Sequence, residues 1–363
     1  MSDVPHLRFP EFRGEWEKIR LGDNCNILMC KRIMAVQTNT DSGIPFYKIG
    51  TIGEKADAYI SKELFDEYKK KYSFPLKGEV MITCAGTVGK CIIYNGEDSY
   101  YQDSNIVWID NPDEIITNEF LYHLLRKVNW SKLNSTTIVR IYNDDLRNLK
   151  FDIPQHQEQK KITRLLSLID KRIATQNKII EKLESLIKGI AHRVAGMGKP
   201  NVCLKECLEC TSSTLQESEV SDLGPYPVYG ANGIVGFLDS YNTPDEAIYI
   251  VKDGSGVGSV VYVKGKCSAT GTLNILTSKQ NYSLQFLYYL LKVFNYSPYK
   301  TGMAIPHIYF KDYGKSRIFC PPYAEQLQYA QLLVAIDTKL LAEKKILISF
   351  NSQKQYLLRE LFI

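Results

Sequence analysis

The chain of 363 residues lacks any apolar run long enough to cross a bilayer, and its first residues contain no apolar core of a secretory signal. We therefore expect a protein that stays in the cytoplasm. Its nine cysteines stand at irregular positions, which is typical of reduced thiols rather than of a disulfide framework. With 44% apolar and 23% charged residues, the composition is that of a globular protein long enough for two domains.

A strong charge of either sign is also missing, since the net charge is +5 and the isoelectric point is about 8.5. Net charge alone is therefore a weak argument for nucleic-acid binding. The five histidines are not spaced with carboxylates or thiols in the way that metal ligands are. We predict no metal site.

One stretch, from Pro154 to Val194, has the pattern of a single long helix. Its apolar residues recur at steps of four and three, which places them on one stripe, the seam of a coiled coil, with Gln176 as a polar position. About forty residues at 1.5 Å each make a rod of about 60 Å, which needs a partner. The predicted seam comprises Leu166, Ile169, Ile173, Ile180, Leu183 and Ile187.

The partner lies in the same chain, because the last residues repeat this stretch at an offset of 167. Gln176 is matched by Glu343, and Ile153-Pro154-Gln155 before the first helix is matched by Cys320-Pro321-Pro322 before the second. A single preserved offset indicates a duplicated unit rather than two unrelated amphipathic helices. Glu343 and Lys354 are polar, so we expect the second helix to pack less tightly. The second seam comprises Leu333, Ile336, Leu340, Leu347, Phe350 and Leu357.

The globular parts repeat as well. Residues 24–110 show short apolar runs cut by Gly, Asn and Asp, the pattern of short strands and turns. In both halves two strands flank a glycine loop, and an amphipathic Phe-Leu-Tyr helix follows. We predict an internally duplicated α+β chain in four segments: an N-terminal arm and first domain at 1–153, a central helix and joint at 154–200, a second domain at 201–320 and a distal helix at 321–363.

These features together resemble the specificity (S) subunit of type I restriction-modification systems. The resemblance rests on the Leu7-Arg8-Phe9-Pro10-Glu11-Phe12 arm, on the two helix starts and on the repeated Phe-Leu-Tyr helix, and it covers essentially the whole chain. It implies two mixed α/β target-recognition domains, each reading half of a split site in double-stranded DNA. It also implies two long helices packed as an antiparallel coiled coil, which set the distance and dock two methyltransferase (M) subunits.

The same resemblance implies that this chain has no catalytic centre and no cofactor of its own. S-adenosylmethionine is expected on the methyltransferase subunits. ATP and Mg2+, needed for restriction, are expected on partner restriction (R) subunits.

Basic residues recur at the same place in both halves and suggest where DNA binds. Residues 126–150 carry six Lys or Arg against two Asp, and residues 292–317 carry five against one. A solvated loop explains either stretch alone, but the recurrence favours a surface that faces phosphates. From repeat position and charge we predict DNA contacts by Thr87, Lys90, Arg140, Tyr142 and Asn143 in the first half and by Lys252, Ser255, Ser259, His307, Tyr309 and Lys311 in the second.

Two motifs invite enzymatic interpretations. Cys203, Cys207 and Cys210 have the spacing of an iron-sulfur site, but the matching positions of the first half have no thiols. Cys320-Pro321-Pro322-Tyr323 resembles the loop of an amino-methyltransferase, yet Cys replaces the residue that would accept the amine, and a helix start explains the prolines. A self-contained DNA amino-methyltransferase and a coiled-coil adaptor without DNA specificity remain the alternatives.

Two further patterns are weaker. Pro112-Asp113 begins like a nuclease motif that Glu158-Gln159-Lys160 would complete, but the second half has Glu325-Gln326-Leu327 at that place, so no cleavage site is predicted. The glycine loops at residues 86–90 and 252–259 lack the context of nucleotide-binding loops. They are either plain tight turns or turns whose amides approach DNA.

Overall fold

A computed structural model describes residues 4–103, 105–132, 140–302 and 305–362. The chain divides into two compact units, Met1–Ile173 with Ser349–Ile363 and Ala174–Ile348. The division runs through the two long helices, because the ends of these helices are part of the domain cores. Ile162 and Leu357 belong to the core of the first unit, and Val194 and Ala330 belong to that of the second.

The first unit has mixed α/β structure. Its helices are α1 (Leu21–Asn24), α2 (Lys62–Lys71), α3 (Asn118–Lys127), α4 (Asn143–Arg147) and the first part of α5 (His156–Ala195). Its strands are β1 (Glu17–Arg20), β2 (Asn26–Leu28), β3 (Ile44–Tyr47), β4 (Tyr59–Ile60), β5 (Val80–Thr83), β6 (Cys91–Ile93), β7 (Tyr100–Tyr101), β8 (Ile106–Asp110) and β9 (Lys150–Ile153).

The strands of the first unit form three small sheets. A four-stranded antiparallel sheet has the order β2-β8-β5-β6, and its central strands β8 and β5 are almost completely buried. A three-stranded sheet has the order β4-β3-β7, in which β3 and β7 are parallel, and β1 pairs with β9. The pairing of β1 with β9 places the start of the domain beside the start of α5.

The second unit repeats this arrangement. Its helices are α6 (Leu204–Cys207), α7 (Leu284–Val293), α8 (Phe310–Tyr313) and most of α9 (Tyr323–Glu360), together with the end of α5. Its strands are β10 (Val202–Cys203), β11 (Leu208–Ser212), β12 (Tyr226–Gly230), β13 (Gly233–Leu238), β14 (Ala247–Val251), β15 (Val260–Val263), β16 (Ser268–Ala269), β17 (Leu273–Ser278) and β18 (Arg317–Ile318).

The sheets of the second unit have the same topology as those of the first. The four-stranded order is β11-β17-β14-β15, the three-stranded order is β13-β12-β16 with β12 parallel to β16, and β10 pairs with β18. The predicted internal duplication into two mixed α/β domains is thus confirmed strand by strand.

The long helices pack as an antiparallel pair, and this is visible within each unit separately. In the first unit Leu166, early in α5, shares a core with Leu357, late in α9. In the second unit Ile187, late in α5, shares a core with Leu333, early in α9. Of the predicted seam, Ile173, Leu183, Ile336, Leu347 and Phe350 are partly buried, and the fully buried residues are Leu166, Ile169, Ile180, Ile187, Leu333, Leu340 and Leu357.

The polar seam residues all have partners across the coil. In the second unit Gln176 Nε2 donates to the backbone oxygen of Glu343 at 3.1 Å and also to the carboxylate of Glu343, which pairs with Lys339. In the first unit Lys354 forms an ion pair with Asp170. Glu343 and Lys354, for which the sequence suggested looser packing, are therefore not left as unpaired buried groups.

A buried glutamine joins the start of each long helix to the Phe-Leu-Tyr helix of the same unit. Gln159 Oε1 accepts from the backbone N–H of Thr117, the N-cap of α3, at 2.7 Å, and its Nε2 donates to Pro154 O at 2.9 Å. Gln326 does the same in the second unit, with Ser283 N at 2.9 Å and Pro321 O at 2.9 Å.

The N-terminal arm docks on the first unit through a buried charge pair. Both guanidinium nitrogens Nε and Nη2 of Arg8 donate to the Glu158 carboxylate, at 2.8 and 2.7 Å, and the Glu158 side chain is completely buried. The backbone N–H of Leu7 donates to Glu360 O at 2.9 Å, near the end of α9. The arm therefore lies against the ends of both long helices in this unit.

Candidate nucleic-acid interface

In the first unit the structure brings the two predicted DNA-binding segments together. The loop between β5 and β6 is fixed beside residues 140–143, because the backbone N–H of Ile141 donates to Cys84 O at 2.8 Å. Thr87 is exposed on this loop, and Tyr142 is 60% exposed on the neighbouring segment. The Arg140 guanidinium lies 5.8 Å from the centre of the Tyr142 ring.

The second unit builds the same junction at the matching residues. The backbone N–H of Ile308 donates to Lys252 O at 2.9 Å, which repeats the bond between Ile141 and Cys84. His307 lies with its ring 5.5 Å from that of Tyr309, and Lys311 Nζ lies 5.1 Å from the centre of the Tyr309 ring. Each unit therefore presents a glycine loop next to an aromatic and basic segment.

All eleven predicted DNA-binding residues are accessible to solvent to some extent. Lys90, Arg140, Asn143, Lys252 and His307 are half-buried. The exposed ones are Thr87, Tyr142, Ser255, Ser259, Tyr309 and Lys311.

The two junctions differ in how far their charges are already paired. Lys90 Nζ lies 2.7 Å from Glu54 Oε1, a partner that the sequence did not reveal. Among the residues that the structure describes, neither Lys252 nor Lys311 has a carboxylate within 4.0 Å. Lys252 and Lys311 of the second junction are therefore available for an incoming phosphate, whereas Lys90 of the first is already engaged by Glu54.

Cysteines near the junctions do not add negative charge. Burial raises the pKa of the Cys84 thiol to about 12, against the lowering effect of Arg140. Burial likewise raises the pKa of the Cys210 thiol to about 11, against the lowering effect of the Lys252 charge. Both thiols are neutral at pH 7, so the charge here comes from lysine and arginine.

The glycine at the end of each loop is explained by packing. Gly89 has φ +82° and a Cβ there would lie 2.2 Å from the Trp130 ring; Gly258 has φ +92° and a Cβ there would lie 2.9 Å from the Tyr296 ring. Each glycine closes the equivalent turn of its own unit. The backbone N–H of Gly89 donates to Thr83 O, and that of Gly258 donates to Val251 O, both at 2.9 Å. These glycines shape a tight turn, and the neighbouring side chains are what reaches solvent.

The motifs with enzymatic interpretations have structural explanations. The backbone N–H and C=O of Cys320 both bond the side chain of Asn201, at 2.9 and 2.8 Å, which fixes the chain just before α9. Cys207 is buried, and all nine cysteines are free thiols.

Within the described ranges no group of three His, Cys, Asp or Glu residues is arranged to hold a metal ion. No described helix is long and apolar enough to cross a membrane.

The family of the type I restriction modification DNA specificity domain matches this chain twice, at residues 13–185 and 199–349. The chain belongs to this family. It is the family of the specificity subunit rather than of the catalytic subunits. The two matches cover the two halves that the duplicated topology defines.

The named relatives that the chain resembles are also specificity subunits. A putative type I restriction enzyme specificity subunit of Haemophilus influenzae, S.HindORF215P, is 49% identical over 170 residues, which are 47% of this chain and 43% of that protein. The chain thus matches less than half the length of this relative. The putative MjaX specificity subunit of Methanocaldococcus jannaschii is 24% identical over 92% of this chain and 90% of its own.

Solved structures show that the specificity-subunit fold extends over the whole chain. The S subunit of a type I restriction-modification system from M. genitalium aligns with a TM-score of 0.70 and 19% identity, over 99% of each chain. A chain from a study of complex assembly in the type I system aligns with a TM-score of 0.55 and 16% identity.

Proposed function

We propose that this chain is the non-catalytic DNA-reading subunit of a type I restriction-modification complex, and that each half reads one part of a split target in double-stranded DNA. The observation that carries the proposal is the junction built twice, where the Ile141 to Cys84 bond and the Ile308 to Lys252 bond fix a basic aromatic segment beside a loop. Two such junctions on one chain suit a DNA target made of two parts.

The reading itself follows from the side chains at the junctions. Lysine and arginine neutralise phosphates and position the chain, whereas the hydroxyl, amide and imidazole groups of Thr87, Asn143, Ser255 and His307 offer donors and acceptors to base edges. The functional domains have the boundaries 1–153 and 201–320, with 154–200 and 321–363 as the connecting helices.

The chemistry is assigned to partners. Two methyltransferase subunits carrying S-adenosylmethionine would dock on the long helices, and restriction subunits using ATP and Mg2+ would join for cleavage. Host DNA is the substrate, so the complex acts in the cytoplasm. Support comes from family membership and from a related chain solved in a study of type I complex assembly.

The junctions are tested by the salt dependence of binding to a 30-base-pair duplex, with the chain in complex with its methyltransferase subunit. The binding constant K falls as salt rises, so the plot of log K against log salt concentration has a negative slope. Replacing Lys252 with Ala should make this slope less steep by about 0.9, the value for one lost phosphate contact. Lys90→Ala should change the steepness less, because Lys90 is already paired with Glu54. Glu54→Gln should make the slope steeper, because it frees Lys90 for a phosphate.

The matched control is Lys264→Ala, an exposed lysine of the second unit that follows the end of β15 opposite to the 252–259 loop. Its salt slope should equal that of the unmodified chain. An unchanged slope in Lys252→Ala, with the control also unchanged, would remove the second junction from the phosphate-binding surface.

A further inference from the structure

Two cysteines from different sequence motifs meet in the second unit. Cys207, the middle thiol of the Cys203, Cys207 and Cys210 motif, ends α6, and Cys320 directly precedes the two prolines at the start of α9. Although these cysteines lie far apart in the chain, their thiols are hydrogen-bonded to each other. The two motifs that invited enzymatic interpretations therefore contribute one thiol each to a single pair.

Backbone bonds on both sides hold this pair together. β10 pairs with β18, and the backbone N–H of Leu204, the first residue of α6, donates to Ser316 O at 3.0 Å. The Asn201 side chain bonds both the backbone N–H and the backbone C=O of Cys320, at 2.9 and 2.8 Å. The end of α6 and the residue before α9 are thus neighbours because of how the base of the second domain folds.

A cavity of about 500 Å3 lies beside the pair. Cys320 and Tyr282 both line it, and the Tyr282 side chain is also hydrogen-bonded to the Cys207 thiol. Cys207 is completely buried, whereas Cys320 is 6% exposed. A small molecule in the cavity therefore reaches Cys320 first, and Cys207 lies directly behind the cavity wall.

The two thiols differ in acidity. Their mutual hydrogen bond raises the pKa of Cys207 and lowers the pKa of Cys320, while burial adds to the first effect and opposes the second. The pair therefore loses its first proton at Cys320. The thiolate is the nucleophilic form of cysteine, and a neighbouring thiol can resolve the product of its oxidation.

The first unit builds the same place without sulfur. Asn24 ends α1 where Cys207 ends α6, and Ile153 precedes α5 where Cys320 precedes α9. β1 pairs with β9 there as β10 pairs with β18. Since the same fold forms with an amide and an aliphatic side chain, packing alone does not require two thiols.

We propose that Cys207 and Cys320 form a redox-reactive dithiol, which hydrogen peroxide oxidises to a disulfide at the base of the second domain. The Cys320 thiolate attacks one peroxide oxygen, the O–O bond breaks, and the other oxygen leaves as hydroxide and takes up a proton to give water. Cys320 is then a sulfenic acid. Cys207 attacks its sulfur, the S–O bond breaks, and the Cys207 proton leaves with that oxygen as a second water. The two sulfurs lose two electrons, and the peroxide gains them.

This disulfide closes a loop that contains almost all of the second domain. A cross-link across so long a loop restricts the unfolded chain, so the oxidised second unit should be the more stable one. A thiol reductant reopens the loop, which makes the change reversible. The site is separate from the junctions and takes no part in base reading.

The test treats the folded full chain with hydrogen peroxide, alkylates the remaining thiols and maps the peptides by mass spectrometry without reduction. We expect a cross-link between Cys207 and Cys320 that dithiothreitol removes, and a higher midpoint of thermal unfolding for the oxidised chain. Cys320→Ser and Cys207→Ser should each lose both the cross-link and the shift. The control is Cys203→Ser, a partly exposed cysteine of the same motif, which should keep both.

Circular dichroism before oxidation establishes that each variant is folded. The proposal is overturned if peroxide leaves Cys207 and Cys320 unlinked in the folded chain, or if the link forms only after urea is added. It is also overturned if Cys203 or Cys210 is linked to Cys320 as often as Cys207 is.

Discussion

At the scale of residues, the two buried glutamines at the helix starts hydrogen-bond each long helix to the neighbouring Phe-Leu-Tyr helix of its unit. Gln159 and Gln326 each accept from an N-cap backbone N–H and donate to a proline carbonyl oxygen, and both are almost completely buried. Removing such a side chain leaves a buried N–H and a buried C=O unsatisfied. Both halves depend on the same bond pair.

We therefore expect Gln326→Ala to lower the free energy of unfolding by about 1 to 3 kcal/mol, and Gln159→Ala to do the same. Urea unfolding followed by circular dichroism measures this. Gln157→Ala, an exposed neighbour, is the control and should change stability by less than about 0.5 kcal/mol. If all three variants unfold alike, the glutamine bonds contribute nothing beyond their surroundings.

His123 makes stability depend on pH. Burial lowers its pKa from 6.5 to about 4, with Lys354 and Arg126 acting in the same direction and Asp170 opposing them. The folded state thus disfavours the charged ring, so this contribution is present above pH 6.5 and is lost as the pH falls from 6.5 towards 4.

In His123→Phe that pH dependence should disappear, because no group is left to take up the proton on unfolding. We expect the unmodified chain to lose at most about 3 kcal/mol more than the variant between neutral and acid pH. Thermal unfolding in phosphate-free buffers at several pH values compares the two. Parallel curves for the two proteins would show that His123 is not the titrating group.

Residue positions were predictable from the sequence only where repetition pointed to them. The paired glutamines are visible as matching letters in the two helix starts, but their role depends on the N-caps of α3 and α7, far away in the sequence. The pair of Lys90 with Glu54 had no sequence signal, since Glu54 lies in an irregular segment 36 residues away. Such contacts are set by how loops fold over the sheets.

At the scale of elements, the meeting of Gln176 with Glu343 follows from the duplication. The two are equivalent by repeat position, and within the second unit the Gln176 side chain donates to the backbone oxygen of Glu343. The sequence identified both as the polar seam positions but not that they touch. A buried polar contact of this kind fixes the register of a coil.

Inserting four residues after Gln176 should lengthen α5 by about 6 Å and shift its seam. We expect a changed gap in the recognised DNA sequence, or failure to assemble with the methyltransferase subunit, read by methylation mapping and size-exclusion chromatography. An insertion of four residues after Gly265, in an open turn, is the control and should leave both unchanged. The same gap with both insertions would mean that the helices do not set it.

The least predictable element was α2. Residues 24–110 have the pattern of strands and turns, yet the structure has a ten-residue helix at Lys62–Lys71. Its signals are local: Ser61 caps it by accepting from Leu64 N at 3.2 Å, Glu63 lies in the first turn, and three lysines lie in the last. Among the described residues of the second unit, no helix lies between β13 and β14, the matching place, so repetition did not reveal it.

At the scale of the whole molecule, the duplication made the fold predictable, because each element of one half has a counterpart position in the other. Long helices with one offset, matching strand orders and two family matches agree on two equivalent halves. We propose that each half reads its own part of one DNA target. Sequence signals are weaker there, because contacts with bases depend on exposed side chains that differ between the halves.

The most direct test of this claim is to co-express the chain with its neighbouring methyltransferase gene and to map methyladenine in host DNA by single-molecule sequencing. We expect one new methylated motif made of two specific parts separated by a gap of fixed length. A continuous motif, or no new motif from a complex that assembles fully, would contradict two-part reading by this chain.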